Sequence, residues 1–176
     1  LARQQGCTPF TVLLAAYKVL LQRTSGQRDL RVGVPIAGRT RTEVEGLIGL
    51  FVNTQVLRSE IAPQQSFTAL VEQIRRTSLE AQAHQELPFE QLVEALQPER
   101  SLSLSPLFQV AFNHHVSLAG GHLQRLEHLQ LSPVSWDEAV AQFDLTLDIE
   151  ESQAQLRASL SYATDLFDTA TIERMA

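Results

Sequence analysis

The stretch Gly46-Leu-Ile-Gly-Leu-Phe-Val-Asn-Thr-Gln-Val-Leu-Arg58 decides how this chain is read. Two glycines and an aromatic lead into an alternation, with Val52, Thr54 and Val56 on one side and Asn53, Gln55 and Leu57 on the other, which is the period of a β-strand. Glycine tolerates backbone conformations and close approaches that a side chain forbids, so Gly46 and Gly49 predict a tight turn with something packed directly on main chain. Asn53 then places a neutral donor and acceptor on a strand face just beyond the turn. Such a group can orient a carbonyl or amide without titrating, and it can equally close a backbone turn.

Upstream, Thr8 before Pro9 predicts a helix start, and Phe10, Leu13, Leu14, Tyr17, Leu20 and Leu21 recur at helical spacing until Gly26. Leu30, Val32, Val34 and Ile36 alternate as a strand, with Pro35 favouring a sheet edge or strand end. Residues 42–47 predict a short helical turn. Downstream, Ser66 caps a long helix carrying Phe67, Leu70, Val71 and Ile74 and ending near His84, and Pro88 opens a short one carrying Phe89, Leu92, Val93 and Leu96. Residues 107–115 alternate again, with a weaker strand at 126–134 beyond Gly120-Gly121. Phe143, Leu145, Leu147 and Ile149, then Leu156, Ala158, Leu160 and Tyr162, predict a hairpin, and Asp168 a helix N-cap. This order predicts an α/β fold (α+β sandwich), a mixed β-sheet with helices packed on one face.

A chain of 176 residues suits one domain with a substantial core. A net charge of -6 argues against a general nucleic-acid surface, which needs a basic footprint, and no apolar run reaches membrane-spanning length. The single Cys7 forms no intrachain disulfide and suits a reducing, cytoplasmic compartment. Opening without methionine and ending just inside a helix, the sequence reads as a piece of a longer polypeptide.

Five histidines, four of them between 114 and 128, invite a metal reading, but neighbouring strand residues His114 and His115 point to opposite faces, so no metal site is predicted. There is no Gly-x-Ser-x-Gly elbow and no glycine-rich phosphate loop. Arg23, Arg28, Arg31, Arg39 and Arg41 form the one basic concentration. Arg39 and Arg41, just before the opening stretch, are candidates for docking an acidic partner, against the plainer reading of solvated arginines.

Four ordered segments, Gly33-Val-Pro-Ile-Ala-Gly-Arg39, Ile48-Gly-Leu-Phe-Val-Asn-Thr54, His84-Gln-Glu-Leu-Pro-Phe-Glu90 and Ser105-Pro-Leu-Phe-Gln-Val110, resemble motifs in the C-terminal half of nonribosomal peptide synthetase condensation domains. Phe143-Asp-Leu-Thr-Leu147 and Tyr162-Ala-Thr-Asp-Leu-Phe-Asp168 fit the same family. The resemblance implies that residues 1–176 are the C-terminal lobe of a chloramphenicol acetyltransferase-like pseudo-dimer. In that architecture a tunnel between two lobes admits phosphopantetheine arms, and an acceptor amine attacks a donor thioester to form an amide bond. It implies an N-terminal lobe, peptidyl carrier domains and an adjacent adenylation domain as partners, with substrates carried on phosphopantetheine and no cofactor bound directly.

The family's catalytic histidine lies in a His-His-x-x-x-Asp-Gly motif on the first lobe. His114-His115-Val-Ser-Leu-Ala-Gly120 only imitates it, with Ala119 where the motif requires a polar residue and a position in the wrong half of the pattern, so no catalytic residue is expected in this chain. The resemblance places Gly49, Phe51, Asn53 and Thr54 beside the tunnel, with Asn53 in a supporting, orienting role. An epimerization or cyclization domain, or a noncatalytic carrier-docking module of the same fold, remains the alternative.

Overall fold

The computed structural model describes residues 1–99, 101, 104–116, 140–152 and 155–176. His122, His128, the Gly120-Gly121 pair and the strand predicted at 126–134 lie outside the described residues. Two compact units divide the chain, Leu1–Phe112 and Asn113–Ala176. The elements run α1 (Pro9–Ser25), β1 (Asp29–Ile36), α2 (Thr42–Glu45), β2 (Asn53–Glu60), α3 (Phe67–Ala83), α4 (Phe89–Leu96), β3 (Val110–Val116), β4 (Leu145–Glu151), β5 (Leu156–Tyr162) and α5 (Thr169–Met175). The strands form one mixed sheet in the order β2-β1-β3-β4-β5.

Local chemistry sets the ends of the long helices. The Thr8 hydroxyl accepts from the Thr11 amide at the start of α1, and Gly26 stops it in the left-handed region at φ 72°. The Ser66 hydroxyl accepts from the Ala69 amide and starts α3. Leu14, Tyr17 and Leu21 of α1 and Leu70, Val71 and Ile74 of α3 are buried, and the two helices pack on each other.

β1 and β2 pair antiparallel from Ile36↔Asn53 to Asp29↔Glu60. Directly opposed residues share a face, so Leu30, Val32 and Val34 lie beside Ser59, Leu57 and Gln55. That face meets the helices, because Gln55 Nε2 donates to the Ala81 carbonyl of α3 (2.6 Å) and Lys18 of α1 reaches Leu57 and Ser59. The more polar row of β2 therefore turns toward the helix layer, and Thr54 and Val56, on the other row, stay half-buried. β1 is an interior strand, so Pro35 marks no sheet edge. It sits beyond the parallel pairs Val32↔Val110 and Gly33↔Ala111 that join β1 to β3, at the strand end where a missing amide breaks no such pair.

Lys18 has no exposed surface. Its Nζ donates to the Leu57 carbonyl (2.6 Å) and to the Ser59 hydroxyl (2.9 Å), so the amine is partnered but stripped of water. Burial pulls its pKa down to about 7, and the nearby Asp29 carboxylate pulls only partly the other way.

In the second unit, β4 and β5 form the predicted hairpin, registered from Leu145↔Tyr162 to Glu151↔Leu156. Leu145 and Ile149 are buried, as is Ile172 of α5. Asp168 occupies the N-cap position of α5 without a side-chain bond to the helix. The Tyr162 hydroxyl instead ties β5 to the helix start by donating to Thr169 Oγ1 (2.9 Å).

Candidate functional site

The four motif-bearing segments, far apart in sequence, meet in the first unit. The meeting begins in the loop of residues 37–52 between β1 and β2. Gly38 adopts φ 64°, and a Cβ there would stand 1.8 Å from the Phe51 carbonyl oxygen. Only glycine fits both conditions. The close main-chain approach predicted at Gly46 and Gly49 is thus found at Gly38. A Cβ on Gly46 would meet nothing within 4 Å, and one on Gly49 would touch only the Phe51 ring at 3.2 Å. The physical reason is that Phe51 folds back across the base of the loop, so the tight point is where the loop closes rather than where it turns.

Arg39 fixes that closure. Its guanidinium lies 4.3 Å from the Phe51 ring centroid and donates to the carbonyls of Val44 and Glu45. It is engaged within the loop, whereas Arg41 is exposed. Leu47, Ile48, Leu50 and Val52 project outward from the same loop.

Asn53 starts β2 immediately after the loop, and its carboxamide meets four main-chain groups. Nδ2 donates to the carbonyls of Gln85 (3.1 Å) and Leu87 (2.8 Å), while Oδ1 accepts from the amides of Thr54 (2.9 Å) and Phe89 (3.1 Å). A primary amide has two N–H donors and two acceptor lone pairs, so its capacity is filled. Pro88, the N-cap residue of α4, offers no side-chain acceptor, and Asn53 supplies one from another element. The segment is further tied by Thr40, whose hydroxyl donates to the Glu86 carboxylate at 3.4 Å.

From Phe89 the contacts continue. Its ring stands edge-on to Phe108, with centroids 5.7 Å apart. The Phe108 ring lies directly over Gly33 of β1, where a Cβ would come within 2.2 Å of it. Gly33 and Gly38, Phe51, Asn53, Phe89 and Phe108 thus link all four segments through named contacts. Replacing Gly33 with alanine is expected to destabilise the protein by about 1–3 kcal/mol through overpacking. Combining it with Phe108→Ala should recover part of that loss in urea unfolding. Strictly additive losses would rule out the steric explanation.

Beside residues 84–88 a cleft of about 770 Å³ is lined by Thr40, Gln82, His84, Gln85, Leu87 and Gln91. Its walls are polar main chain and amide side chains, which suits an extended, hydrogen-bonding occupant better than a compact apolar one. Elsewhere, His114 Nε2 lies 3.0 Å from the Glu151 carboxylate, and Asn113 Nδ2 donates to Asp148 (2.6 Å). Among the described residues, no group of three or more His, Cys, Asp and Glu side chains is placed to hold a metal ion.

Sequence reasoning found Asn53 but not its partners, and it did not single out Lys18 or Gln55. Lys18 had a signal, since it follows Leu14 by four residues and precedes Leu21 by three, inside the apolar stripe of α1.

Comparison with known proteins gives matches over the whole chain. The family described as Condensation domain matches residues 1–176. A linear gramicidin synthase of Brevibacillus parabrevis is 49% identical over 179 residues, covering 100% of this chain and 2% of the synthase. A four-domain nonribosomal peptide synthetase bound to AMP and glycine superposes with a TM-score of 0.85 at 29% identity, over 99% of this chain and 14% of the other. The X-domain from teicoplanin biosynthesis has the same fold, with a TM-score of 0.89 at 24% identity over 99% of this chain and 40% of that one. The chain therefore spans a small part of the gramicidin synthase and under half of the single-domain structure.

Proposed function

Because the chain belongs to the condensation-domain family, we propose that residues 1–176 are the C-terminal lobe of a nonribosomal peptide synthetase condensation domain, acting in the cytoplasm. The observation that carries this reading is the family match along the entire length of the chain. The contacts that join the four segments support it, since they make those segments one structural unit.

The reaction is amide formation between two carrier-bound substrates. The acceptor amine attacks the donor thioester carbonyl, a C–N bond forms, the C–S bond breaks, and the proton lost by nitrogen balances the departing thiolate as a thiol. A histidine on the N-terminal lobe assists that proton transfer. This chain contributes one wall of the tunnel through Gly49, Phe51, Asn53 and Thr54, with the exposed Arg41 available to an acidic carrier domain and Arg39 holding the loop that presents it. The phosphopantetheine arms arrive with the carrier domains, and an adenylation domain supplies the activated substrate. No helix among the described residues is long and apolar enough to cross a membrane.

The test compares residues 1–176 alone with the complete two-lobe domain, each given donor and acceptor thioesters on carrier domains. The complete domain is expected to form the amide and the isolated chain to form none. Amide formation by the isolated chain at the rate of the complete domain would remove the assignment of catalysis to the other lobe. An epimerised or cyclised product from the complete domain would replace condensation with one of the related activities.

A further inference from the structure

We infer that Asn53 is a positioning residue: its carboxamide clasps residues 85–89 to the start of β2 and supplies the missing cap of α4, so it acts on the reaction through that segment and not by contact with substrate. The inference rests on the condensation reading above for what the reaction is, and on geometry alone for the clasp.

The case begins with capacity. Both Nδ2 hydrogens are directed to carbonyls, Gln85 and Leu87, and Oδ1 accepts from two amides, Thr54 and Phe89. No donor or lone pair is left for a thioester carbonyl or an attacking amine without breaking one of these bonds. The partners are also the right ones for holding a segment. Gln85 and Leu87 lie in the turn after α3, and Phe89 is the first residue of α4, whose own N-cap position holds a proline with no oxygen to offer. One side chain thus fixes a turn and a helix start together, and the cleft bordered by Gln85, Leu87 and Gln91 takes its shape from that placement.

The clasp is also local. Phe89 passes the constraint to Phe108 and so to Gly33 of β1, while α1 and α3 pack through other residues. Loosening Asn53 should free residues 84–92 and leave the helix pair intact.

The experiment uses the complete condensation domain and two variants, Asn53→Ala, which removes all four bonds, and Asn53→Asp, which keeps the acceptors for Thr54 and Phe89 but loses both donors. Hydrogen exchange and amide formation are measured on the same preparations. Exchange in residues 84–92 is expected to rise about tenfold or more in the alanine variant and by less in the aspartate variant, with α1 and α3 unchanged. The kcat should fall in the same order, by about tenfold for alanine, with the KM for the carrier-bound acceptor unchanged.

A fall in kcat with unchanged exchange would overturn the proposal in favour of direct contact with substrate. Freed exchange with unchanged kcat would overturn it by showing that the segment does not matter to the reaction. If both variants lose protection throughout α1 and α3, the role is general stability, and the proposal again falls. Absence of amide formation by the unmodified domain would count against the condensation reading itself, and the exchange comparison would still decide the clasp.

Discussion

Raising the pH from 7 to 10 is expected to stabilise this protein by about 4 kcal/mol, against the usual decline of stability in alkali. The cause is Lys18. In the unfolded chain its amine keeps the ordinary value of 10.5, while in the folded state burial lowers it to about 7. Between those two values the unfolded state binds a proton that the folded state does not. Stability therefore climbs as pH rises through the window, by about 1.4 kcal/mol per unit, and the destabilising effect is fully present below pH 7. Urea unfolding at several pH values checks this, with Lys18→Met as the control. Methionine fills much of the same volume without titrating, so its slope across the window should be nearly flat. Equal slopes in the two proteins would show that the amine is hydrated or otherwise compensated when folded.

Replacing Gly38 with alanine is expected to cost about 3 kcal/mol or more, while Gly46→Ala should stay within about 0.5 kcal/mol. At Gly38 two penalties fall on one atom. The backbone is left-handed at φ 64°, which disfavours any L side chain, and the new Cβ would sit 1.8 Å from the Phe51 carbonyl oxygen. That oxygen is main chain and has no rotamer to retreat into. The Arg39 stack on Phe51 holds the same loop and would be displaced with it. Gly46 has φ -87° and open space around the position of a Cβ. Urea midpoints of the two variants decide the matter, and comparable losses would mean that the closure at Gly38 and Phe51 is not what holds the loop.

The contrast between these glycines shows what could be read from sequence and what could not. A glycine announces permission, and only the fold says which permission is used. Gly38 was legible as part of a polar turn, but its contact is with Phe51, thirteen residues on, and no local pattern carries that. Elements whose reasons are local were readable: Thr8 and Ser66 as caps, Gly26 as a stop, and the alternation of β4 and β5. The polar row of β2 was not. Alternation located Asn53, Gln55 and Leu57 on one face, yet hydropathy gives no hint that amides and a serine turn toward helices, because their burial depends on partners supplied by α1, α3 and residues 85–89. For the candidate site, chemistry identified Asn53 as a group able to orient a carbonyl. That the carbonyls are Gln85 and Leu87 of its own chain follows only from the three-dimensional arrangement.

The parallel pairing of β1 with β3 sets an order of events during folding. β1 and β2 close over a short loop, and α1 and α3 supply neighbours early in the chain, so this half can gain its burial while the later strands are still being synthesised. Val32 and Gly33 must then wait for Val110 and Ala111, about eighty residues further on, and the entropy of closing that span is met before any contact of β3 repays it. Phe108 enters its place over Gly33 with the same step. The gathering of the four segments is accordingly a late event, and until it happens the Gly33 face of β1 is open to mispairing.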